Sequence, residues 1–177
     1  MRFFFFGLLR DAEVLGLVTG RPWTADRFTG ARLAGARLVH LRGETFPMLV
    51  AAPGVWVPGV LAEGLAESDL DRIRFFESVE YEPTTVEVEL RSGERIEARA
   101  FAATRHAVPD QEPWSFEDWC LRDKARALCE TGLWMTLYGR LSVEEADRRW
   151  DAALAAGQTL EDMVREVCEA KPASRGF

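Results

Sequence analysis

Met1-Arg-Phe-Phe-Phe-Phe-Gly-Leu-Leu-Arg-Asp11 opens the chain with four consecutive phenylalanines that stop at a glycine. A short aromatic run followed by a helical pattern predicts a buried strand feeding a tight turn. Gly7, lacking a Cβ, accepts backbone geometry closed to other residues and lets a ligand come close. Asp11 then stands where an N-cap is needed, ahead of Val14, Leu15 and Val18, and Gly20-Arg-Pro22 ends that short helix. Successive N–H groups of this turn, at the start of the helix after Asp11, are candidates to hold a carboxylate or an oxyanion. A plain strand-ending turn accounts for the same glycine, so the loop gains meaning only beside other residues.

The 177 residues suffice for one domain with a sizeable core. Hydrophobic residues make up 47% and charged residues 29%, as in ordinary soluble globular proteins. A net charge of −7 and a pI near 5.0 argue against a nucleic-acid partner held through its phosphates. No apolar run approaches the length of a membrane span. The opening run is also too short for a signal peptide and is interrupted by Arg10 and Asp11. Cys120, Cys129 and Cys168 lack CxxC spacing, and His40 and His106 lie far apart, so no metal site is expected. The cysteines fit a reduced, cytoplasmic protein.

Strand patterns dominate the first hundred residues. Arg27–Arg42 reads as one or two strands bent at Gly30 and Gly35. Phe46–Ala51 is another strand, and Val55–Leu65 a further one with a bulge or edge position at Pro58-Gly59. Ser68 begins a helix. Tyr81–Arg91 alternates, and Ser92-Gly93 turns it into the return strand Ile96–Ala103. Ala107–Pro113 reads as a polar connector. Beyond it Ser115 caps one helix carrying Phe116, Trp119, Cys120 and Leu128, Ser142 opens a second and Thr159 a third. These helices are amphipathic, so they cover either the barrel or a partner subunit. The expected fold class is α+β: a small mixed or antiparallel β-barrel with short helices in residues 1–106, and a C-terminal helical extension, 107–177, packed on it.

One carboxylate breaks the pattern. On the helix opened by Ser68, Leu70 and Ile73 define an inward direction, and Glu77 projects between them. Burying an unpaired carboxylate costs several kcal/mol, and the helix C-terminus disfavours an anion. Both effects raise its pKa toward the range of a general acid or base. Asp69, Asp71 and Glu80 are expected on exposed faces or loops. The alternative is that the helix ends early and Glu77 is solvated or paired with Arg72 or Arg74.

Taken in order, these segments resemble the gamma-glutamylcyclotransferase-like (AIG2-like) family. Phe6-Gly7-Leu8-Leu9 occupies the place of that family's Tyr-Gly-Ser/Thr-Leu, with Phe6 and Leu8 lacking the usual hydroxyls. Asp11, Val14-Leu15 and Gly20-Arg21 resemble its bacterial branch. Arg42-Gly-Glu-Thr-Phe-Pro47, Val57-Pro-Gly-Val-Leu61 and Leu70-Asp-Arg-Ile-Arg-Phe-Phe-Glu77 with Tyr81 resemble further family segments. The resemblance covers roughly residues 2–103. It implies a barrel with a cavity at one end and no metal or cofactor. It also implies a reaction in which the α-amine of a γ-glutamyl group attacks its own γ-carbonyl, giving 5-oxoproline and a free amine. In that scheme Glu77 is the catalytic acid/base and the loop from Phe6 to Asp11 binds substrate. Tyr81 forms a pocket wall or belongs to the core. The partner is then a small γ-glutamyl compound, with no nucleic acid and no membrane, and a homodimer is possible. A non-catalytic binding or interaction protein keeping the barrel and cavity is the alternative.

Overall fold

The first strand, β1 (Arg2–Phe5), is buried on both faces, which is why it is an unbroken aromatic run rather than an alternation. Phe3 and Phe5 enter one hydrophobic cluster, and Phe4 and Phe6 enter another on the opposite side. The structure, a computed structural model, describes residues 1–104 and 107–169; His106 and the domain boundary drawn at that position lie outside them.

Five strands close a barrel around the Phe4–Phe6 cluster. β1 pairs antiparallel with β3 (Pro47–Glu63) and parallel with β5 (Arg95–Ala103). β5 pairs antiparallel with β4 (Tyr81–Leu90), β4 with β2 (Phe28–Leu41), and β2 with β3, which closes the ring. The mixed α+β barrel expected from the sequence is therefore the fold. The two strands expected between Phe46 and Leu65 are one. Its irregularity lies opposite Gly35 (φ 78°), and the register through Pro58-Gly59 is continuous. Gly59 is needed for close approach instead: a Cβ there would meet the Phe4 ring and the Phe5 carbonyl at 2.5 Å.

The polar connector is corrected as well. Pro109–Pro113 is a sixth strand, β6, on the open edge of β2, with Val39 opposite Pro113 and Leu41 opposite Pro109. Proline is tolerated there because an edge strand has one unpaired side.

Six α-helices accompany the barrel among the described residues. Asp11 caps α1 (Ala12–Thr19), accepting from the amides of Glu13 at 2.9 Å and Val14 at 3.3 Å, and Gly20 ends it in the left-handed conformation. α2 spans Glu67–Glu77. The single helix expected after Ser115 is two, α3 (Phe116–Arg122) and α4 (Lys124–Met135), parted at Asp123. Ser142 and Thr159 open α5 (Val143–Ala155) and α6 (Leu160–Glu169), each accepting from the amide three residues on. Phe3 and Phe5 share one cluster with Val14, Leu15, Leu70, Ile73, Trp119, Ala146 and Met163. The C-terminal helices thus complete a core that the barrel alone leaves open. No helix among the described residues is long and apolar enough to cross a membrane.

Candidate active site

Past β1 the chain makes a single 3-10 turn, Leu8–Arg10, closed by the amide of Arg10 on the Gly7 carbonyl (3.1 Å) and that of Asp11 on the Leu8 carbonyl (3.0 Å). The first amides of such a turn have no partner within it. Those of Leu8 and Leu9 donate to no backbone carbonyl among the described residues. Gly7 has φ −105°, so a left-handed conformation is not its reason for being glycine. The reason is space: a Cβ would stand 3.0 Å from Cγ of Pro47. Pro47 is tied in turn to Tyr81, whose hydroxyl donates to its carbonyl at 3.0 Å.

Gly7, Leu8, Leu9, Pro47 and Tyr81 line a cavity of about 730 Å³, together with Phe6 and Glu77. That size suits a small-molecule ligand. Of the residues singled out in the sequence, the structure brings together Phe6, Gly7, Leu8, Leu9, Glu77 and Tyr81. Arg10 and Asp11, also expected in the binding loop, do not line the cavity. The Arg10 guanidinium stacks 4.1 Å over the Phe116 ring, and burial lowers its pKa. Asp11 caps α1 and pairs with Lys124 at 2.8 Å. Both are committed to joining the loop to the helices.

Glu77 is the last residue of α2 and faces the cavity from the turn that also buries Leu70 and Ile73. Its surface is partly open because the cavity adjoins it, yet protein surrounds it deeply enough that burial pushes its pKa up to about 8. Neither proposed arginine reaches it. Arg72 donates to the Val18 carbonyl at 2.6 Å and stacks on Tyr138, and Arg74 pairs with Asp71 at 3.4 Å. Among the described residues Glu77 has no ion-pair or hydrogen-bond partner. Burial and the nearby Glu77 also raise the Tyr81 hydroxyl far above its usual range.

One neighbouring acid is a correction, and the other, Glu80, lies in the turn after α2. Asp69 is buried rather than exposed, held bidentately by Arg21 at 2.5 and 3.1 Å while accepting from the Ala66 amide at 2.9 Å. Glu80 is half-buried on the cavity wall, where burial, then Glu44, Asp147 and Asp151, raise its pKa.

The C-terminal helices supply residues that sequence reasoning missed. Asp147, Trp150, Asp151 and Leu154 of α5 line the same cavity, spaced i, i+3, i+4 and i+7, and Arg126 and Trp134 of α4 join them. Two aspartates on a stripe with Trp150 and Leu154 were the available signal. Asp147 also reaches the end of α2. Ser78, the residue after Glu77, has φ 62° and ψ −168°, a region populated almost only by glycine and costing about 1–3 kcal/mol elsewhere. Its hydroxyl lies 2.9 Å from both carboxylate oxygens of Asp147, and the Val79 amide donates to the same carboxylate at 3.3 Å. One turn earlier, the Trp134 indole N–H donates to the Phe75 carbonyl at 3.1 Å. No group of three or more His, Cys, Asp or Glu among the described residues is arranged to hold a metal ion.

The family described as "Gamma-glutamyl cyclotransferase, AIG2-like" matches residues 3–121. AIG2-like protein C of Arabidopsis thaliana is 28% identical over 68% of this chain and 70% of its own length. AIG2-like protein D of the same plant is 29% identical over 66% and 76%. Among solved structures, an Arabidopsis thaliana solution structure superposes with a TM-score of 0.56 at 20% identity, covering 99% of this chain and 94% of the other. A chain titled gamma-glutamyl cyclotransferase gives 0.52 at 18%, covering 99% and 91%. These likenesses show the barrel fold. The sequence relatives are plant proteins, so they lend no support to the bacterial branch named above. On the family match and the shared barrel, the chain belongs to the gamma-glutamyl cyclotransferase, AIG2-like family.

Proposed function

We propose that this protein is an enzyme that cyclises a γ-glutamyl amine or peptide, releasing 5-oxoproline and a free amine. The observation that carries this is Glu77, a carboxyl with no partner among the described residues, its pKa raised by burial to about 8, on the wall of a cavity shared with the Leu8–Leu9 turn. Such a group takes a proton from an ammonium near neutral pH and can return it.

The chemistry is modest in its demands. The γ-glutamyl group folds so that its α-amine lies against its own γ-carbonyl, and holding that conformer supplies much of the acceleration. Glu77 removes the ammonium proton, the nitrogen attacks, and a tetrahedral oxyanion forms. The amides of Leu8 and Leu9, which donate to no backbone carbonyl among the described residues, are the donors assigned to that charge. The C–N bond to the leaving amine then breaks as Glu77 delivers the proton to it, and the carboxylate so regenerated takes the second proton from the ring nitrogen to leave the lactam N–H. The hydroxyls lost at Phe6 and Leu8 leave these main-chain donors in place. Tyr81, committed to Pro47, holds the wall rather than the substrate. The substrate is a small molecule, and the setting is the cytoplasm.

The test is 5-oxoproline release from a panel of γ-glutamyl amines and peptides. Glu77→Gln keeps the shape and removes the proton carrier, so turnover is expected to fall about 10²–10⁴-fold with ligand binding retained. Wild-type protein that releases no 5-oxoproline from any member of the panel overturns the proposal in favour of a binding protein.

A further inference from the structure

We infer that Asp147, on α5, is a positioning residue for Glu77: it clamps the strained Ser78 backbone and so fixes how the Glu77 carboxyl enters the cavity. This rests on the role proposed for Glu77. With no hydrogen-bond partner of its own among the described residues, Glu77 is aimed by its backbone and by packing, not by a polar contact. That backbone is tied on both sides to the C-terminal helices, through Trp134 to Phe75 before it and through Asp147 to Ser78 and Val79 after it.

The clamp matters because Ser78 has no intrinsic reason to stay where it is. At φ 62° and ψ −168° a side-chain-bearing residue is strained, and release would return it to negative φ. A change of that size redirects the chain at the end of α2 and unwinds the turn that aims Glu77. The Asp147 carboxylate holds the conformation with hydrogen bonds from the Ser78 hydroxyl and the Val79 amide. Asp147 lies beyond residue 121, where the family match ends, so the aim of the base is set from outside the matched segment.

The distinguishing experiment compares Ser78→Ala, Ser78→Gly and Asp147→Ala in the full-length protein by two readouts. One is the titration of the Glu77 side-chain carboxyl, followed by 13C NMR and assigned with Glu77→Gln; the other titratable or charged groups lining the cavity are Glu44, Glu80, Tyr81, Arg126, Glu130, Asp147 and Asp151. The other is kcat and KM for 5-oxoproline release. Alanine at 78 or 147 is expected to move the Glu77 titration toward the ordinary carboxylate range. It is also expected to lower kcat about tenfold or more while KM changes about twofold at most. Glycine at 78 accepts the observed conformation without strain, so it loses less than alanine by both readouts. A role confined to stability predicts wild-type titration and kcat in every variant that folds. Wild-type titration and kcat in Ser78→Ala, or glycine equal to or worse than alanine, overturns the inference. If Asp147→Ala does not fold, the Ser78 pair still decides. If no γ-glutamyl compound is turned over, the proposed function fails while the NMR titration still decides the clamp.

Discussion

At the scale of the residue, Glu77 carries opposed costs. Its folded-state pKa of about 8 lies above the ordinary 4.5, so the folded chain binds the proton more tightly than the unfolded chain. Stability is therefore expected to fall as pH rises from about 4.5 to about 8, and this group adds no further loss above that. Glu77→Gln removes the burden, so its melting temperature should exceed that of the wild type by more at pH 9 than at pH 5. A gap that is equal or reversed across that range would mean the carboxyl is stabilised as an anion. On the proposed reaction, activity is expected to run the other way, with kcat/KM for 5-oxoproline release rising through pH of about 8 as the base form appears. A flat pH profile there would remove Glu77 from the proton transfer. The inward direction of Glu77 was legible because Leu70 and Ile73 lie within two turns of it. Asp69 was not legible, because Arg21, which pairs with it, is 48 residues away and only the packing of α1 on α2 brings the two together. Asp147 was hidden for a similar reason, since Ser78 lies 69 residues from it.

At the scale of the element, β1 was readable and β6 was not. A run of four phenylalanines has few outlets other than a strand buried on both faces. Pro109–Pro113 has neither alternation nor strand-forming residues, and it pairs only because β2 offers an open edge. The long β3 was read as two strands because Gly54 and the residues around it break the pattern; the sheet absorbs that break opposite Gly35. Gly59 carries a sharper prediction. Gly59→Ala puts a methyl group 2.5 Å from the Phe4 ring and from the fixed Phe5 carbonyl, so β3 must move away from β1. Urea denaturation is expected to show a loss of about 1–3 kcal/mol or more. An unchanged midpoint would mean that the β1–β3 contact yields freely. Gly35→Ala meets no neighbour within 4 Å and tests backbone conformation alone.

At the scale of the whole molecule, barrel and helices do not separate cleanly. Trp119, Leu137, Met163 and Val164 fill the same cluster as Phe3, Leu15 and Leu70. Deleting residues 114–177 is expected to leave that face bare, giving insoluble protein or strong dye binding to exposed apolar surface. A soluble truncated barrel with a cooperative melt would refute this. The cavity draws its walls from both parts: loop and Glu77 from the barrel, Asp147, Trp150 and Leu154 from α5. On the proposed reaction, the barrel wall bears Glu77 and the Leu8 and Leu9 amides, and α5 with its neighbours is the part left to receive the leaving amine. Such a division lets the two parts change at different tempos. On that reading, altering Trp150 or Leu154 is expected to change the order of kcat/KM across a panel of γ-glutamyl amines, so new specificities can be reached from the tail without rebuilding the reactive end.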